Sequence, residues 1–193
     1  EWLGLDTTKA IVMDKYYTSS QNEQAPKSYI WMVYDDRYLY LGIEHTPDPW
    51  TEDMPGNKKK RDCVETEVSI EGQVTSDTTS WWLPDMATGP IYILRGFGDG
   101  RTEIMDSYCK MPESLREELM KQIEYAVVMH DKENFHWTSE WKIPFSLLGI
   151  NPKEVESRRF NTGVYRQKDW VSWVYTGGTI WQLENGGYIR FVK

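Results

Sequence analysis

The chain has 193 residues and a formal net charge of −8, the size of one sandwich-type domain with a core of its own. The acidic balance argues against a surface for nucleic acid or anionic membrane, because both need clustered Lys and Arg. Ten Trp, 12 Tyr and 5 Phe suit strands, and they equally suit a protein that stacks rings on flat ligands.

In chain order, residues 10–17 (AIVMDKYY) read as a first strand and residues 18–24 as a polar loop. Residues 28–34 (SYIWMVY) and 38–44 (YLYLGIE) are strands rich in aromatics, and Asp35-Asp36-Arg37 between them is a tight hairpin turn. Residues 46–61 hold three prolines, Gly56, Asn57 and a Lys58-Lys59-Lys60-Arg61 run, which predicts a long solvated loop. Residues 62–70 (DCVETEVSI) alternate, with Val64, Thr66, Val68 and Ile70 on one face and Cys63, Glu65, Glu67 and Ser69 on the other. Residues 71–89 read as a second loop carrying Trp81-Trp82. Residues 90–97 (PIYILRGF) are a strand ended by Gly96, Gly98 and Gly100.

Residues 112–123 are the one convincing helix. Pro112 suits its first turn, Glu113 its positive end, and Leu115, Leu119 and Ile123 form an apolar stripe. Residues 125–129 and 136–143 pair around 131–134, and 145–150 make a short helical turn closing at Gly149. Residues 160–166, 170–176 and 188–192 are the last strands. In residues 170–176, Val171, Trp173 and Tyr175 share one face. Trp31, Trp137, Trp141, Trp170 and Trp173 are assigned to the core or a sheet face. About nine strands and one helix predict an all-β fold. The expected architecture is a single domain over 1–193, a two-sheet antiparallel β-sandwich, immunoglobulin- or jelly-roll-like, with one short helix insertion.

No apolar run approaches the roughly 18 residues of a membrane span. The sequence opens at Glu1 with no apolar leader, which leads to the expectation of a mature exported domain or an excised piece of a larger polypeptide. Cys63 and Cys109 make either one bridge or two buried thiols; two thiols are the simpler reading, since Cys packs well as a small hydrophobe.

Chemical motifs are few. His45, His130 and His136 lack zinc-type spacing. Asp35, Asp36, Asp48, Asp53 and Asp62 could serve structural calcium in loops, without a compact calcium-loop pattern. There is no Gly-x-Ser-x-Gly, P-loop or dinucleotide fingerprint. Glu65 and Glu67 are neighbours on one strand, not carboxylates opposed across a glycosidic bond. No enzyme activity is expected.

The order of short motifs adds to this. Tyr34-Asp35-Asp36-Arg37-Tyr38-Leu39-Tyr40-Leu41 is followed by Asp62-Cys63-Val64-Glu65. Trp141-Lys142-Ile143-Pro144-Phe145, Leu148-Gly149 and Arg159-Phe160-Asn161 come later, and Trp181 precedes Gly187-Tyr188-Ile189-Arg190-Phe191. Over residues 28–193 this resembles family 9 carbohydrate-binding modules and the wider DOMON-like sandwiches. The resemblance implies a sugar held between two Trp rings, with charged residues on its hydroxyls. It implies a sugar-contacting Glu65 and Arg95 and a stacking Trp181. The family's second Trp stands three residues before Asp62, where this chain has Lys59. That leaves the second ring to Trp50, Trp81 or Trp82. The expected partner is an oligosaccharide or polysaccharide, and the alternative is a structural or docking domain of a larger exported enzyme with the sugar site lost. The DOMON-like resemblance also implies a haem reading, with haem held between the sheets through Met, His or Lys, against which stands that a Met is more often a core filler.

Overall fold

Period-two alternation in the chain becomes two antiparallel sheets laid face to face. The computed structural model describes residues 5–16, 24–47, 76–82, 91–98, 100–104, 113–131, 134, 136–146, 150–154, 157–165, 170–175 and 186–192, with 76–82 and 91–93 described by their backbone. Among these residues the strands are β1 (Ile11–Lys15), β2 (Gln24–Tyr34), β3 (Tyr38–His45), β4 (Ser76–Trp82), β5 (Ile91–Phe97), β6 (Thr102–Ile104), β7 (Glu124–Asp131), β8 (His136–Pro144), β9 (Ser157–Tyr165), β10 (Trp170–Ser172) and β11 (Gly187–Arg190). One α-helix, α1 (Glu113–Gln122), lies between β6 and β7.

The first sheet runs β1-β2-β3-β8-β7. Its β2–β3 turn is the one the sequence announces. Asp35 Oδ1 accepts from the backbone nitrogens of Arg37 and Tyr38, both at 2.7 Å, and Asp35 N donates to Tyr38 O at 3.0 Å. The bond from Arg37, then that from Tyr38, holds the Asp35 carboxyl below its ordinary range. Leu39, Leu41 and Ile43 of β3 turn inward, as do Trp137, Trp141 and Ile143 of β8, and all are buried. Ser28, His45 and Trp137 stand opposite one another on three neighbouring strands, and their burial puts this row in the core. Ser28 Oγ meets His45 Nδ1 at 2.9 Å, and the imidazole lies 4.0 Å from the Trp137 ring centre.

The second sheet runs β10-β9-β4-β5-β6, with β11 also paired to β9. β4 corrects the sequence reading. The segment holding Trp81-Trp82, expected in a loop, is a central strand bonded to β5 on one side and β9 on the other. Ser76 to Ser80 carry no aliphatic residue, so alternation gives no signal there. Yet Thr and Trp fit a pleated surface, and two neighbouring ladders absorb the backbone groups. β6 was also not expected; it returns through a turn at Gly100, whose φ of +89 suits glycine. The strand expected over 170–176 stops at Ser172, and Val171 is buried while Tyr175 is exposed. The cause is Asn161, whose Oδ1 accepts from Val174 N and whose Nδ2 donates to Val174 O, drawing the chain off the ladder. The strand expected over 62–70, both cysteines and Asp48, Asp53 and Asp62 lie outside the described residues.

The core is closed from the second sheet by Leu94, Phe160, Val164, Val171 and Ile189. The helix stripe works as expected at Leu119, which is buried with Ile104 of β6, while Ile123 packs at the margin.

Candidate functional site

Each strand of the second sheet has a core-facing set and an outward set, and the outward set positions the candidate site. Leu94 and Gly96 face the core, so Arg95 between them faces out. It stands opposite Thr78 of β4 and Glu103 of β6. Arg95 Nη1 donates to Glu103 Oε1 at 2.8 Å, with 11% of the Arg95 side chain and 33% of the Glu103 side chain exposed. The carboxylate thus fixes the guanidinium on the face. Phe97, next along the same side, is buried, and the Arg101 guanidinium carbon lies 4.9 Å from its ring centre.

Farther along the same face, β11 is paired so that Tyr188 stands opposite Arg159 of β9. Phe160 and Ile189 turn into the core, which leaves Arg159 and Tyr188 on the outer side. Tyr188 is 59% exposed, and the Arg159 guanidinium sits 4.9 Å from its ring centre. From Gly163, level with Arg95 across β4, to Arg159 is four residues, or roughly 13 Å along the strand, with about 10 Å across the two strand spacings. The face therefore has an exposed aromatic ring with its guanidinium group at one end and a largely buried, ion-paired guanidinium at the other.

Of the sequence-predicted site residues, Arg95 is on this face. Trp81 and Trp82 are adjacent positions of β4, where Trp81 is in register with Phe160 of β9 and Tyr92 of β5, and Trp82 with Ile91 of β5. Glu65, Trp50 and Trp181 lie outside the described residues. Sequence reasoning missed Glu103, although Gly98-Asp99-Gly100 after the β5 strand is a turn signal that could have marked a hairpin. It also missed Tyr188 and Arg159 as a pair, which only the β9–β11 register brings together. Among the described residues no group of three His, Cys, Asp or Glu is gathered in a way that would hold a metal. Asp35 is occupied with its own turn, and Asp36 pairs with Lys153 at 2.8 Å. No helix among the described residues is long and apolar enough to cross a membrane.

Comparison with solved structures decides the fold. A family 9 carbohydrate-binding module from Caldicellulosiruptor kristjanssonii, solved with cellotriose, superposes with a TM-score of 0.56 at 12% identity, over 94% of this chain and 80% of that one. In fold, the chain is similar to family 9 carbohydrate-binding modules. A structure of such a module from the same organism with glucose gives a TM-score of 0.54 at 12% identity, over 92% of this chain and 81% of that one. No protein-family model matches the sequence, and no curated protein matches it. The similarity thus lies in the arrangement of strands, and the side chains must carry any argument about ligand.

Proposed function

We propose that the chain is a non-catalytic, exported carbohydrate-binding module that holds an oligosaccharide on the outer face of the second sheet. The carrying observation is the Tyr188 ring, exposed and backed by Arg159, on the same face as the Arg95–Glu103 pair. Sugars present apolar C–H faces that pack on flat rings and hydroxyls that match guanidinium and carboxylate groups. A guanidinium already fixed by a carboxylate loses little freedom on meeting a hydroxyl. The similar modules solved with cellotriose and glucose support sugar as the ligand class. On this reading Glu65 adds a carboxylate and Trp181 a stacking ring. The second ring comes from Trp50, Trp81 or Trp82.

Calorimetric titration with glucose, cello-oligosaccharides and a wider glycan panel tests this. Trp181→Ala and Arg95→Gln should each weaken binding by about 1–3 kcal/mol, roughly tenfold to a hundredfold. A wild-type chain that binds no sugar in the panel rejects the reading. Binding untouched by both substitutions moves the site off this face.

A further inference from the structure

The outer face of the first sheet carries a second constellation, which the sugar reading does not use. At the end of the β7–β8 hairpin the register shifts between Met129 and Asp131, so two residues of β7 oppose His136 and His130 is the extra one. Such a bulge re-aims a side chain. Here it sets the His130 ring 5.0 Å from the His136 ring, centre to centre, with 46° between the planes. His136 Nε2 lies 3.3 Å from Glu44 Oε1 of β3, and His130 Nε2 lies 3.0 Å from Thr138 Oγ1.

We propose that His130 and His136 form a two-imidazole chelate for a divalent transition-metal ion of the zinc class. A carboxylate only accepts hydrogen bonds, so Glu44 selects the neutral His136 tautomer with its proton on Nε2 and its lone pair on Nδ1. This is the arrangement by which an outer carboxylate orients a metal-bound imidazole. Thr138 can accept in the same way from His130 Nε2, which leaves Nδ1 as that ring's ligand atom too. Two imidazoles bound at about 2.0–2.1 Å to one tetrahedral ion place their ring centres about 5 Å apart, which is the separation observed. Among the described residues no group of three His, Cys, Asp or Glu that could hold a metal is found, so the two imidazoles are the ligands the described residues supply. The net charge of −8 and the exposed Glu140 on the same side of β8 favour a cation here.

Titrating the full chain with zinc chloride in chelator-free buffer at neutral pH, by calorimetry and by imidazole nitrogen shifts in NMR, tests the site. One ion should bind per chain, with the Nδ1 resonances of both rings moving. His130→Asn and His136→Asn should each weaken binding at least tenfold, and Glu44→Gln about tenfold. Both histidines are on the surface side, and circular dichroism checks that the variants stay folded. Absence of zinc binding by the wild type overturns the proposal, as does undiminished binding by the folded double variant.

Discussion

Gly96 of β5 lies directly beneath the ring of Tyr125 from the opposite sheet. A Cβ at that position would stand 2.5 Å from Tyr125 Cζ and 2.6 Å from Trp141 Cζ2. The two rings are themselves packed, 4.5 Å between centres, and the Tyr125 hydroxyl donates to Phe97 O at 3.2 Å. The sheets approach here only because position 96 has no side chain. Gly96→Ala should destabilise the fold by about 1–3 kcal/mol through overpacking. A lower urea midpoint at unchanged slope is the expected result.

Ser28 is the hydroxyl that meets His45 in a row otherwise made of large core residues. Replacing it removes the contact at His45 Nδ1 while the imidazole stays against Trp137. Ser28→Ala should therefore cost about 1–3 kcal/mol, the usual penalty for taking one partner from a buried polar pair. Thermal unfolding followed by Trp fluorescence measures it.

The Asp35 carboxyl titrates below its ordinary value because it accepts from Arg37 N and Tyr38 N. A carboxyl with a depressed folded-state pKa contributes stability that is present above its unfolded value and lost as pH falls through the folded one. Wild type should therefore exceed Asp35→Asn in stability at pH 6, and the gap should close as pH falls below about 4. Denaturant midpoints for both proteins across that range supply the comparison.

Tyr188 separates stability from binding. Its ring is mostly in solvent and its described ring contact is with Arg159, a cation–π pair worth about 0.5–1 kcal/mol at an exposed site. Tyr188→Ala should leave unfolding within about 1 kcal/mol of wild type. Sugar affinity should fall about tenfold if the ring is a stacking platform.

Legibility in the sequence followed physical rules that particular elements make plain. The β2–β3 hairpin was readable because its inward and outward residues differ in polarity and Asp35 can bond its own turn. β4 was not readable, because Ser76 to Ser80 give no apolar alternation and the strand is specified by the ladders on either side. Arg95 could be assigned to a strand, but Ile91 and Ile93 share its parity and hid its direction. Leu94 and Gly96, turned into the core, resolve that direction. Glu103 and the Arg159–Tyr188 pair depend on cross-strand register, which no local pattern encodes.

The place of β4 has a consequence for how the chain must be made. Its partners on β9, Trp81 with Phe160 and Asp77 with Val164, are roughly 80 residues away in sequence, a long loop to close before any pairing is gained. The first sheet draws only on residues up to Pro144, and β4 to β6 precede β7, so what the opposing layer still lacks at that point is β9 to β11. Until the segment from Ser157 onward is synthesised, Ile30, Leu41 and Trp141 have no opposing layer from β9 to β11, and β4 offers one unpaired edge to any neighbouring strand. The unpaired edge of β4 is thus the place most open to wrong partners during folding, and that opening closes when β9 pairs beside β4.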